Sequence, residues 1–368
     1  MMILMFGLLC AALLAYANGA NDNFKGVATL FGSGVSNYKK ALNWATATTL
    51  LGSVAAIWLT AQLVEAFSGK LFVSAQTLAL PGYPLAVVAA AAATVLIATR
   101  IGAPISTTHS LAGALLGAAF AAPESVINWA RAGTQIFLPL GVGPGLAIVS
   151  AMLLYPILTR LRQWAGITRQ TCVCVGEEWI PQANGAALGK ISVVVENQQV
   201  CQERYTGAMF GFQAQKLLDG LHYLSAGMVS FARGVNDTPK IVALALMAAP
   251  FVGQGFGAFS GVGLVIAIGG LLSARRVAET MSQKITTMNP GQGLTANLIT
   301  SSLVMAASPL GLPLSTTHVS CGALFGIGAV TRQAHWTTIA GIFAAWLITL
   351  PLAALLGASL MRAALILG

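Results

Sequence analysis

Charge is what this chain has least of. Its 368 residues include 19 Lys and Arg, 10 Asp and Glu and 4 His, so 8% of the chain is charged while 56% is hydrophobic. So little polar surface cannot solvate a globule of this size, and apolar stretches of spanning length recur along most of the sequence. A polytopic helical protein in a lipid bilayer is expected, and a nucleic-acid-binding protein is excluded. The excess of nine positive charges is spread singly or in pairs, as loop charges that set membrane orientation are, and forms no basic run.

Cysteine is also scarce. Cys10, Cys172, Cys174, Cys201 and Cys321 are the only five. Cys172-x-Cys174 with Cys201 could ligate a metal or form a bridge. The spacing is weak and no histidine lies nearby, so these are read as incidental thiols, and no cofactor is expected. The amino terminus lacks a basic leader: Met1 to Ala17 has the length of a signal-peptide core but runs straight into Asn18-Gly19-Ala20-Asn21-Asp22. Its counterpart, Lys216 to Arg233, lies mid-chain, so the segment is expected to be a retained helix.

What the chain does have, it has twice. Gly19-Ala20-Asn21-Asp22-Asn23-Phe24-Lys25 returns as Gly234-Val235-Asn236-Asp237-Thr238-Pro239-Lys240, and Pro104-Ile105-Ser106-Thr107-Thr108-His109 returns as Pro313-Leu314-Ser315-Thr316-Thr317-His318. A shift of 215 carries Asp22 onto Asp237, one of 214 carries Glu65 and Lys70 onto Glu279 and Lys284, and one of 209 carries the Ser-Thr-Thr-His block across. The same 209 maps Gly113 and Gly117 onto Gly322 and Gly326, a small-xxx-small pair in each copy.

The apolar segments read as 2–17, 26–37, 41–66, 83–99, 104–121 and 134–158, then 207–232, 238–251, 256–274, 292–308, 313–330 and 335–361. This predicts a first transmembrane repeat over 1–158, a hydrophilic linker over 159–206 with a short strand near Ile191 to Val195, and a second repeat over 207–368. Lys39-Lys40 has Gln254-Gly255 as its counterpart, and Arg275-Arg276 has Ala61-Gln62. Equivalent loops on one side of the membrane would share a positive bias. The mismatch points to inverted-topology repeats, with broken or re-entrant helices around a midplane site.

Each Pro-x-Ser-Thr-Thr-His block reads as the start of a half-helix: proline pre-sets the backbone, Ser and Thr cap, and small residues follow. Free N–H groups at such a start attract anions. Two of them, with Ser106, Thr107, Thr108, Ser315, Thr316 and Thr317, could surround one tetrahedral oxyanion. The alternative is that these hydroxyls only cap and pack. His109 and His318 are ligand or proton-relay candidates, or are bonded to nearby carbonyls.

A carboxylate at membrane depth must be paired, protonated or occupied by a cation. Asn21, Asp22, Asn236 and Asp237 offer oxygens of the kind Na+ prefers, beside glycines that permit unwound backbone, and H+ could take its place on the aspartates. Glu65 and Glu279 are further cation-coupling candidates, unless they are helix-end charges snorkelling to the interface. Lys25 and Lys240, three residues beyond the aspartates, either neutralise them or face the anion.

These paired motifs in two membrane halves around a hydrophilic linker resemble the inorganic phosphate transporter family, which includes phosphate permeases and some bacterial sulfate permeases. The resemblance covers nearly the whole chain except the linker. It implies an all-helical symporter, usually a homodimer, that carries phosphate with Na+ or H+. The Asn-Asp motifs would handle the cation and phosphate, and the Ser-Thr-Thr tips would bind the anion. The expected location is the inner membrane of a bacterium.

The chain departs from the family where most phosphate carriers continue Val-Ala-Asn after the first aspartate: here Asn23-Phe24-Lys25 stands instead. The added charge brings sulfate and the Na+ stoichiometry into question. Other classes explain less. An intramembrane aspartyl protease has no use for the Ser-Thr-Thr-His blocks, a passive anion channel leaves the buried acids unexplained, and a structural scaffold explains neither.

Overall fold

The computed structural model describes residues 2–168, 170–181, 187–204, 210–253 and 255–367. Among the described residues ten long helices carry the fold, five in each half and in matching order. In the first half they are α1 (Met2–Asp22), α2 (Tyr38–Leu59), α3 (Gly82–Ile101), α4 (Thr107–Ala121) and α5 (Leu138–Trp164). In the second they are α6 (Ala214–Ala248), α7 (Phe256–Ser273), α8 (Pro290–Ala307), α9 (Thr316–Thr331) and α10 (Trp336–Leu367). Seven described helices are long and apolar enough to cross a membrane.

The solvent pattern is that of a bilayer protein. Leu51, Leu153, Leu347 and Leu355 face outward, each more than half exposed, while Asp22, Lys25, Arg233, Asp237 and Lys240 are buried. Lipid solvates the outer apolar belt, and the charged groups must find partners inside.

The two halves interlock. Helix α1 packs on α7 and α6 on α2, while α4 packs on α10 and α9 on α5. The repeated glycines sit where these partners cross. A Cβ on Gly117 would overlap the backbone of Ala354, and one on Gly326 would overlap the Ile148 carbonyl. The motif glycines act likewise: Gly19 lies against the Ile266 carbonyl and Gly234 against that of Thr49. Their expected role in unwinding the backbone is thus corrected to close helix approach.

Nor does the backbone break equally in the two motifs. Helix α1 ends at Asp22 and tightens into a 3₁₀ turn over Asn23–Val27. The second copy runs through its motif as one 35-residue helix with Pro239 inside, so the segments expected at 207–232 and 238–251 join over 214–248, with 207–209 outside the described residues and 210–213 in a strand. Neighbouring helices can hold such a proline in place when it removes a single backbone bond.

The Ser-Thr-Thr blocks form hairpin tips. Gly102 (φ 72°) and Gly311 (φ 70°) turn the chain after α3 and α8, in the left-handed region that favours glycine. An extended segment follows, and then α4 or α9. With 15 and 16 residues these helices reach only about 22–24 Å at 1.5 Å per residue, too short for the hydrocarbon core.

The linker, together with residues 210–213 beyond its expected end at 206, adds a feature to the all-helical expectation. Strands β1 (Thr171–Pro181), β2 (Ala187–Asn197) and β3 (Phe210–Gln213) form an antiparallel sheet in the order β2-β1-β3, and the strand expected at Ile191 to Val195 lies within β2. Cys174 and Cys201 are disulfide-bonded with Cys172 buried beside them, so reading these thiols as incidental is corrected. A sheet this small has little apolar core, and a cross-link substitutes for one.

Candidate functional site

Both aspartates and both hairpin tips meet in one buried network. Asn18, at the end of α1, joins them: its amide donates to Asp22 Oδ2 at 2.9 Å, to Thr107 Oγ1 at 3.1 Å and to Asp237 Oδ2 at 3.4 Å. Thr107 in turn donates to Asp22 Oδ2 at 2.8 Å.

Each motif lysine folds back onto its own aspartate and reaches both tips. Lys25 Nζ bonds Asp22 Oδ1, Asn21 Oδ1 at 2.8 Å, the Ile105 carbonyl at 2.7 Å and Thr317 Oγ1 at 2.7 Å. Lys240 Nζ bonds Thr108 Oγ1 at 2.8 Å, the Leu314 carbonyl at 3.1 Å and Asp237 Oδ1 at 3.4 Å. Asn21 and Asn236 complete the frame. The first donates to Thr99 Oγ1 and the Ala103 carbonyl, the second to Asp237 Oδ1 and the Leu314 carbonyl, all at 3.0–3.1 Å.

The serines behave as caps. Ser106 Oγ accepts from the His109 N–H at 3.1 Å and Ser315 Oγ from the His318 N–H at 3.2 Å, which starts each half-helix. Thr316 is buried at the second tip. Behind the tips the two histidine rings lie 4.3 Å apart, with His318 against Trp346 at 3.8 Å. His109 Nδ1 and His318 Nε2 are buried without a hydrogen-bond partner.

Arg233 escaped the sequence reading. It is the counterpart of Asn18 under the 215 shift, and because the residue type is not repeated, motif matching passes over it. An arginine inside an apolar helix was the available signal. Its guanidinium bonds Asn18 Oδ1 at 3.3 Å, Asn23 Oδ1 at 3.1 Å and Thr49 Oγ1 at 3.1 Å, and lies 3.9 Å from Asp237. Lys25, Lys240 and Arg233 against Asp22 and Asp237 leave the cluster one positive charge in excess. Buried in low dielectric, that excess attracts an anion.

Glu65 and Glu279 are not part of the cluster. Glu65 is exposed, and Glu279 pairs with Arg275 at 3.2 Å with nearly half its side chain exposed. A basic cleft of about 410 Å³ does adjoin the network, lined by Arg100, Arg275, Arg276 and Thr99, the residue that Asn21 bonds. Arginines gathered around a cleft give it a positive potential.

Half-helices meeting tip to tip over a buried charged network, within a shell of apolar helices, define a membrane transporter. The family is equally plain. Residues 18–357 match the model of the phosphate transporter family, and the chain belongs to it. A Thermococcus kodakarensis protein named as a phosphate permease is 27% identical over 96% of each chain. A Rhizobium meliloti protein named as a low-affinity inorganic phosphate transporter is also 27% identical, over 96% of this chain and 95% of its own. A solved structure described as the sodium-dependent phosphate transporter superposes over the whole of both chains with a TM-score of 0.78 at 20% identity, which shows the shared fold. The family is one of transporters, so the chain is not an enzyme.

Proposed function

We propose that this chain is a secondary active transporter that moves inorganic phosphate across the membrane as a cation symporter, with the two Ser-Thr-Thr tips as the anion cradle. The observation that carries this reading is the convergence of both tips and both Asn-Asp motifs on one buried cluster with a positive charge in excess. Phosphate is the named substrate of relatives that align along nearly their whole length. Ser106, Thr107, Thr108, Ser315, Thr316 and Thr317 would hold the anion; Asn21, Asp22, Asn236 and Asp237 would respond to the coupling cation, Na+ or H+.

Inverted repeats complete the proposal. Helices α2 and α7 are equivalent and pack together in opposed register: Gly263 lies against Ser53, whereas Gly270 lies against Asn23, whose amide donates to Thr46. Opposed equivalents relate the halves by an axis in the membrane plane, the geometry of alternating access.

Sulfate is the second reading, and one observation favours it. Both aspartates already accept from lysine, so fewer acceptors remain for the protons that distinguish phosphate from sulfate. Competition between labelled phosphate and sulfate in proteoliposomes at pH 6 and pH 8 decides. Phosphate should win at both; sulfate competing equally at both values overturns the assignment.

A further inference from the structure

We propose that Lys25 and Lys240 are the transporter's own tethered cations, filling the two oxygen cages where a coupling Na+ would sit, so that the anion binds and moves without Na+. The inference rests on the transporter reading above and concerns its coupling.

Coordination is the first ground. Four oxygens surround the Lys25 ammonium: a carboxylate, a side-chain amide, a backbone carbonyl and a hydroxyl. An ammonium has three protons to donate, so four oxygens exceed what it can bond one to one. Mixed carboxylate, carbonyl and hydroxyl oxygen shells are what hard cations take. Transporters build alkali-cation sites from the same elements, where helix ends leave carbonyls free.

Symmetry is the second. Lys25 takes the Ile105 carbonyl from the first tip and the Thr317 hydroxyl from the second. Lys240 takes the Leu314 carbonyl from the second tip and the Thr108 hydroxyl from the first. Ile105 and Leu314 are repeat equivalents, as are Thr108 and Thr317. Carboxylate, tip carbonyl and opposite-tip hydroxyl thus recur around both ammoniums, while the amide oxygen is present only in the Lys25 cage, where Asn21 turns it toward Nζ and Asn236 donates instead to Asp237. The Thr317 hydroxyl donates a hydrogen bond to the Ile105 carbonyl at 2.9 Å, which leaves its oxygen lone pairs free to face a cation.

A covalent cation differs from a dissolved one in two ways. It neutralises its aspartate at any Na+ concentration, so anion affinity is no longer linked to Na+ by mass action. It also stays with the protein when the anion leaves, so it cannot carry a Na+ gradient into the transport cycle. The structural relative whose description calls it sodium-dependent shares the fold at 20% identity, which leaves the cage contents of this chain free to differ.

The test uses purified full-length protein with inorganic phosphate as the probe. Uptake into proteoliposomes is compared in Na+ and in choline at equal ionic strength, alongside thermal unfolding of the anion-free protein in detergent with the same two salts. Wild type should take up phosphate equally in both, and its melting temperature should not distinguish them. Lys25→Asn and Lys240→Asn empty one cage each; both should lose uptake in choline by about tenfold or more, regain it in Na+, and melt higher in Na+ than in choline. Wild-type uptake that collapses in choline, wild-type stabilisation specific to Na+, or folded variants indifferent to Na+ in both measurements would overturn the proposal. Absence of phosphate uptake under every condition would instead defeat the substrate reading, and the unfolding measurements still decide on the cages. Should neither variant fold, the two wild-type comparisons decide alone.

Discussion

Lys25 Nζ lies 2.7 Å from Thr317 Oγ1, although 292 positions separate the two residues. The motif lysine of one half thus holds the hairpin tip of the other, and Lys240 does the same in return through Thr108. In the proposed transport cycle, a movement of either tip away from the opposite motif would break one of these cross-links.

Removing one member of such a buried ion pair strands the other. Asp22→Asn leaves Lys25 without its carboxylate and should destabilise the protein by about 3–5 kcal/mol. The double variant Asp22→Asn with Lys25→Met removes both charges and should recover most of that loss. Thermal or denaturant unfolding of the four-member cycle measures it. Additive effects of the two substitutions would show that the pair is not energetically coupled.

Arg233 supplies the positive excess of the cluster. Arg233→Gln should weaken phosphate binding by about ten- to a hundredfold, the effect of losing one charge-assisted bond of about 1.5–3 kcal/mol. Arg233→Lys keeps the charge but loses the fork that reaches Asn18, Asn23 and Thr49 together, and should fall between. Equal affinity in all three proteins, measured by equilibrium binding, would remove the arginine from the anion's environment.

The glycine crossings make a separate prediction about packing. Gly117→Val forces a side chain into the backbone of Ala354 and should lower stability by about 1–3 kcal/mol. At Gly141 nothing lies within 4 Å of the added carbon, so Gly141→Val should be tolerated far better. Comparable melting temperatures for the two would mean that the α4–α10 contact is loose.

Much of this site was legible because it is written twice. Repetition singled out Asn21, Asp22, Lys25 and the Ser-Thr-Thr blocks, and of the two roles left open for Lys25 the structure shows the pairing with Asp22, made across the turn that follows α1. Repetition also singled out Glu65 and Glu279, which lie outside the buried cluster, Glu65 exposed and Glu279 half-exposed beside Arg275, because a shared ancestor preserves other charges as readily as those of a site. Arg233 was missed for the opposite reason, since its counterpart is Asn18. The cross-tip bonds were invisible: hydrogen bonds spanning 132 and 292 positions leave no periodicity to read. The unbroken α6 was also hidden, because Pro239 and a charged motif are local signals of interruption that packing against α2 overrides.

The most direct test of the two-tip cradle is equilibrium binding of labelled phosphate to wild type and to the double variant Thr107→Val with Thr316→Val. Valine keeps the volume of both tips and removes one hydroxyl from each. Loss of hydrogen bonds to a charged ligand, at about 1.5–3 kcal/mol apiece, predicts affinity lower by at least about tenfold. An unchanged dissociation constant in a variant that folds as wild type does would contradict the cradle and leave the threonines as packing residues at the helix starts.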